Sequence, residues 1–122
     1  MTATQQQPPT PFELDVEPER DVVRVCPAGE LDLATVPLVR SKMEELASSG
    51  FPRVILDLRE ATFLDSAGVH LILDLDAAAR DGGWEFAVID GSPEVGKVFD
   101  VTGVRPLIPF LDPMRLRNRA WR

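Results

Sequence analysis

Ser66, His70 and Asp74 fall four residues apart in the stretch FLDSAGVHLILD, a spacing that places side chains on one face of a helix. A hydroxyl, an imidazole and a carboxylate in that arrangement suggest a nucleophile, a base and an orienting acid. Spacing alone does not make a triad. The reaction also needs donors for an oxyanion and a pocket for substrate, and an exposed helix face offers neither. The chain has no G-x-S-x-G turn, and its one His and one Cys cannot supply a metal-ligand set. No phosphate-cradling glycine loop is present either. No enzyme activity, metal or cofactor is therefore expected, and His70 reads as a solvated surface residue.

Three roles remain for Ser66: helix cap, ligand-binding hydroxyl or site of modification. Asp65 and Ser66 both suit an N-cap, a role worth about 1 kcal/mol, and capping would leave Gly68 a simple packing role. Advancing about 100° per residue from Ser66 gathers Leu71, Ile72, Leu75, Ala78 and Ala79 on the far side, with Ala67 and Gly68 beside them. That is the expected core face. Val69, His70, Leu73, Ala77 and Arg80 fall on the side of the serine, so Val69 and Leu73 are expected to face outward as an apolar contact surface. A phosphoryl group on Ser66 would add about −1.5 to −2 charges. A helix N-terminus accommodates an anion, but a partner docked on an apolar patch beside Asp65 would not. Ser66 is thus suited to switch an interface without unfolding the domain.

The elements that would position this stretch follow from hydrophobic period. FELDVE (12–17) alternates like a half-exposed strand, and VVRVCPAGELD supplies a second strand ending near Gly29, paired as a hairpin. Residues 35–49 take helical spacing, with Pro37 in the first turn and Gly50 beyond the end. RVILDL (53–58) reads as a buried strand, residues 66–80 as a helix stopped by Gly82 and Gly83, and WEFAVID (84–90) as a strand. Ser92 and Pro93 open a short helix ending by Gly103, and LIPFL (107–111) is expected as an edge strand because of Pro109. The order β-β-α-β-α-β-α-β implies an α/β domain with crossover helices on a mixed sheet of four or five strands. Residues 1–11, rich in Gln, Pro and Thr, are expected to be a disordered lead-in, and residues 113–122 a solvated basic tail.

A chain of 122 residues with 44% hydrophobic content suits one core. The net charge is −7, but the four Arg of residues 113–122 leave 9 bases against 20 acids, or −11, in residues 1–112. That balance argues against nucleic acid or an anionic membrane as a partner. Cys26 reads as a buried hydrophobe in a reducing compartment. The first residues have no basic start and no apolar core, and no apolar run approaches a membrane span, so a cytoplasmic location is expected.

The strings GELDLAT (29–35), VILDLREATFLDSAG (54–68), VHLILDLDAAARDGG (69–83) and SPEVGKVFDVTGV (92–104) resemble the STAS-domain anti-sigma factor antagonists over about residues 12–112. The resemblance implies that Ser66, directly after Asp65 in D-S-x-G, is a phosphoacceptor, and that the Gly29–Asp32 turn lies near the partner-binding end. It further implies partner switching. The unmodified protein binds an anti-sigma factor that is also a Ser/Thr kinase, freeing a sigma factor; phosphorylation of Ser66 releases it, and a phosphatase resets it. Asp32, Asp65, Ser66, Gly68, Val69 and Leu73 are the expected contact residues. Ala67 stands where many members carry a second Ser or Thr. Scaffolding subunits of lipid-transport ATPases or transporters, and subunits of stress-signalling assemblies, use the same fold and are the rival readings.

Overall fold

The computed structural model describes residues 11–117. The expected lead-in, residue 11 excepted, and the last five residues of the tail lie outside them. Alternation of side chains along β1 (Glu13–Glu19) and β2 (Val22–Leu31) pairs them as an antiparallel hairpin, Glu13 opposite Ala28 through Glu19 opposite Val22. After α1 (Val36–Ser48), β3 (Arg53–Asp57) returns parallel to the first half of β2, and β5 (Glu85–Ile89) returns parallel to β3. The sheet runs β1-β2-β3-β5.

Five strands are present as expected, but one of them lies where no strand was expected. β4 (Ala61–Leu64) pairs in parallel with the upper half of β2: Gly29 with Ala61, Glu30 with Phe63, Leu31 with Leu64. β2 outlasts β3, and β4 continues on the same side where β3 stops. The register shifts between Gly29 and Glu30, and Gly29 takes φ 122°, a value side chains rarely adopt. A Cβ there would also stand 3.0 Å from the Pro11 carbonyl. Conversely, LIPFL is not a strand. Val88 donates to the Pro109 carbonyl at 3.0 Å and accepts from Leu111 N–H at 2.8 Å, leaving one isolated bridge, Val88–Phe110. Arg105 holds this segment, donating to Asp90, Asp100 and the Gly96 carbonyl while its guanidinium lies over the Phe110 ring.

Helices α1, α2 (Ser66–Gly82) and α3 (Pro93–Val101) contribute to one core against the sheet, with Val39, Met43, Leu71, Ile72, Leu75 and Phe99 fully buried. Each such side chain contributes about 1.5–3 kcal/mol by leaving water. The opposite sheet face carries a smaller core of Ile55, Ala87, Ile89 and Leu111, with Val22 and Leu116 packed against it. Leu116 belongs to α4 (Pro113–Arg117), so the ordered domain continues past residue 112 and the first half of the basic tail is not merely solvated. No described helix is long and apolar enough to cross a membrane.

Asp57, 3% exposed, carries a buried charge on that second face. Arg24 donates to its Oδ2 at 2.8 Å, Arg59 at 2.7 Å, and the Arg59 N–H donates to Oδ1 at 3.0 Å. Burial pushes this carboxyl up, but the bonds from Arg59 and Arg24 outweigh it and hold it below its usual range. Burial, reinforced by Asp57, pushes the neighbouring Cys26 thiol up to about 11, so it is protonated at neutral pH. A carboxyl held low in the folded state stabilises the fold above its unfolded value, about 3.9, and loses that contribution as pH falls through the folded value. Asp57→Asn is expected to lose about 3–5 kcal/mol at pH 7. In urea titrations across pH, the gap between its stability and the parent's should begin to narrow below about pH 4 and close only as pH falls through the lower folded-state value.

Candidate functional site

Two turns meet at the end of the sheet where β2 and β4 finish side by side. After Leu31, Asp32 folds the chain on itself: its Oδ1 accepts from the N–H groups of Ala34 (3.0 Å) and Thr35 (3.2 Å). Thr35 Oγ1 accepts from Asp32 N–H at 3.0 Å and donates to the Glu30 carbonyl at 2.7 Å. This staple delivers the chain into α1. After Leu64, the neighbouring partner of Leu31, Asp65 opens α2.

Asp65 is the cap. Its Oδ1 accepts from Ala67 N–H at 2.9 Å and Gly68 N–H at 3.3 Å. Ser66 is the first helical residue, exposed, and its hydroxyl has no hydrogen-bond partner among the described residues. Capping therefore does not account for Ser66. The hydroxyl is free, one residue from a carboxylate that the helix holds in place.

The helix phase needs correction. Val69 is 4% exposed and belongs to the main core; Gly68 is buried too. A Cβ on Gly68 would come 2.2 Å from Leu64 Cδ1 and 3.3 Å from the Leu31 carbonyl, so this glycine lets α2 start directly against both strands. Leu73 is half-buried and packs on the core, while Ala78, placed inside by the sequence, is exposed. The buried arc runs from Leu71 round to Val69. Ser66 is exposed because the helix begins there, so using it to mark the outward face turned the whole wheel.

Of the six expected contact residues, the structure brings Asp32, Asp65 and Ser66 to one end of the sheet, turns Gly68 and Val69 inward, and leaves Leu73 half-buried. The exposed apolar side chains at this end are others: Leu33 in the Asp32 turn, 79% exposed, and Phe63 on β4, 46% exposed. Their signal was present in the sequence, since Leu33 follows the turn acid and Phe63 precedes the Leu64–Asp65 pair. Among the described residues no hydrogen bond joins Ser66, His70 and Asp74. Arg40 donates to Asp74 at 3.1 Å, tying α1 to α2, and His70 stands exposed. No group of three or more His, Cys, Asp or Glu among the described residues could hold a metal ion.

A family model described as the STAS domain matches residues 13–117. The chain belongs to the STAS domain family. The match extends through α4, beyond the residues that carried the resemblance in sequence. This STAS domain is 32% identical over 102 residues to the anti-sigma F factor antagonist of Paenibacillus polymyxa, covering 83% of this chain and 87% of the relative. It is similar to the solved structure of the anti-sigma factor antagonist SpoIIAA in its unphosphorylated form, with TM-score 0.69 at 26% identity, over 90% of this chain and 96% of the other. The Bacillus cell fate determinant SpoIIAA in its phosphorylated form shares the fold at TM-score 0.64 and 24% identity, over 91% of this chain and 100% of that one.

The cap assignment is testable by stability alone. Asp65→Ala should lose about 1 kcal/mol, whereas Ser66→Ala should stay within about 0.5 kcal/mol of the parent in urea unfolding. A loss at Ser66 as large as that at Asp65 would mean that the hydroxyl does cap the helix.

Proposed function

We propose that this STAS domain is an anti-sigma factor antagonist acting by partner switching, with Ser66 as the residue that is modified. The observation that supports it most is the division between neighbours: Asp65 caps α2 and Ser66 presents an unpartnered hydroxyl to solvent. In the unmodified state the end of the sheet bearing Asp32, Leu33, Phe63, Asp65 and Ser66 binds an anti-sigma factor that is also a Ser/Thr kinase. That binding frees a sigma factor. Phosphate transferred by the kinase to Ser66 separates the pair, and a phosphatase restores the hydroxyl. The domain is a substrate and a competitor, works in the cytoplasm, and uses no cofactor, nucleic acid or membrane.

The electrostatics favour release. Asp65 already accepts the amides of Ala67 and Gly68, so a phosphate on Ser66 lies beside a fixed carboxylate rather than in an empty anion site. In water that costs the free domain little. Against a partner that covers Leu33 and Phe63, the added charge is desolvated and costs several kcal/mol.

Incubation with the cognate kinase and ATP, followed by mass spectrometry, should place phosphate on Ser66, and Ser66→Ala should abolish labelling while retaining binding. Ser66→Asp should weaken binding in calorimetric titration with no more than a small shift in melting temperature. Leu33→Ala should weaken it roughly 5–30-fold, about 1–2 kcal/mol, with an unchanged melting curve. Labelling elsewhere would remove Ser66 as acceptor. Parent-like affinity in Ser66→Asp would remove the switch and favour a scaffolding role.

A further inference from the structure

Ser66 and His70 are both exposed and stand four residues apart at the start of α2. One turn of helix separates them, about 6 Å along the axis and about 40° around it, so their Cβ atoms are about 5–6 Å apart. Helical side chains lean toward the N-terminus. His70 therefore covers the turn that begins at Ser66 rather than the turn that carries Asp74. Among the described residues no hydrogen bond or ion pair engages either side chain.

The other charged groups near His70 are occupied. Asp65, at the cap, accepts from the Ala67 and Gly68 amides. Asp74, one turn beyond His70, takes the guanidinium of Arg40 at 3.1 Å, a pair that draws it toward α1. β4 has no charged residue, and Glu85, the one on β5, is held by Arg53. Of the two basic residues of α2, Arg80 is committed to Asp76. His70 is the other, one turn from the serine and without a partner among the described residues.

We propose that His70 is the phosphate-binding residue of the modified domain, its imidazolium donating to the phosphoryl oxygens on Ser66 across one turn of α2. The inference rests on the reading of Ser66 as the phosphoacceptor and adds a contact that only the modified state makes. Asp65 repels the phosphate from one side and His70 attracts it from the other, so the group lies along the outer face of α2. A His charges between about pH 5 and 8, and a phosphoserine takes its second charge near about pH 6. The pair is therefore complete from about pH 6 upward and is lost as the imidazole deprotonates.

Phosphorus NMR tests this on the full chain, phosphorylated at Ser66 by incorporating phosphoserine during translation, beside a His70→Asn variant prepared the same way. The midpoint of the phosphate's second ionisation should lie about 0.5 pH unit lower with His70 present, because a neighbouring cation favours the dianion. Asp65 acts equally on both proteins and cancels. The separation should close in about 1 M salt, where the Debye length is about 3 Å. At about pH 6.5, His70→Asn should lower the melting temperature of the phosphorylated chain by about 2–4 °C, and that of the unmodified chain by less than about 1 °C. Equal phosphate midpoints would overturn the proposal. So would equal losses of melting temperature in the two forms, which would assign His70 to Asp74. Because the phosphate is installed without a kinase, these outcomes are separate from whether a kinase labels Ser66.

Discussion

The site rests on the parallel pairing of β4 with the upper half of β2. Only three residue pairs make it, yet they fix Asp32 and Ser66 at neighbouring strand ends. In an open α/β sheet the carboxyl ends of parallel strands are where loops are free to recognise something else. Gly68 completes the constraint. Without a side chain it lets α2 begin against Leu64 and the Leu31 carbonyl, so the helix N-terminus emerges at the sheet edge rather than a turn further out. A larger residue there would move the whole start of α2, and Ser66 with it.

Within that frame, two adjacent residues do different work. Asp65 is held by two amide donors and cannot swing away from a neighbouring charge. Two like charges about 4 Å apart repel by roughly 1 kcal/mol in water but about 4 kcal/mol at the effective dielectric of a partly covered surface. A charge added next to Asp65 is therefore tolerated by the free domain and resisted by a complex. In the proposed switch the fold does not need to change, because desolvation on binding would supply the difference.

The main elements were legible because each buries a complete stripe. Strand alternation in β1, the continuous apolar run of β3 and the i, i+3, i+4 spacing of α1 translate directly into burial. β4 was lost because four residues hold too little pattern, and because β2 was ended at Gly29, two residues before its last pairing. Ser66 and Asp65 stood out as a pair, though only the bonds to Asp65 separate the cap from the exposed hydroxyl. The exposed apolar side chains at this end of the sheet did not. Exposure at a helix end reflects missing neighbours and carries no phase, so centring the outward face on Ser66 moved Val69 outside and left Leu33 and Phe63 unnoticed. Leu116 was hidden by composition: among four arginines, one leucine reads as solvated chain until Ile55, Ala87 and Ile89 are seen to need a cover.

That need follows from the strand order. Parallel strands must be covered on both faces, and α1, α2 and α3 all lie on one. On the reverse face β3 and β5 present Ile55, Ala87 and Ile89, almost wholly buried, and it is Leu111 and Leu116 that pack there. Toward β1 the cover gives out and the face becomes ionic instead: Asp57 between Arg24 and Arg59, Arg24 on to Glu17, and then bare carboxylates. Asp57 stands at that boundary, buried by the apolar half and neutralised by the charged half. A leucine at Asp57 would extend the apolar half but leave Arg24 and Arg59 without their shared anion. The boundary is therefore set by charge pairing as much as by burial, and the side opposite Ser66 can vary its ionic half without disturbing the turns that present the serine.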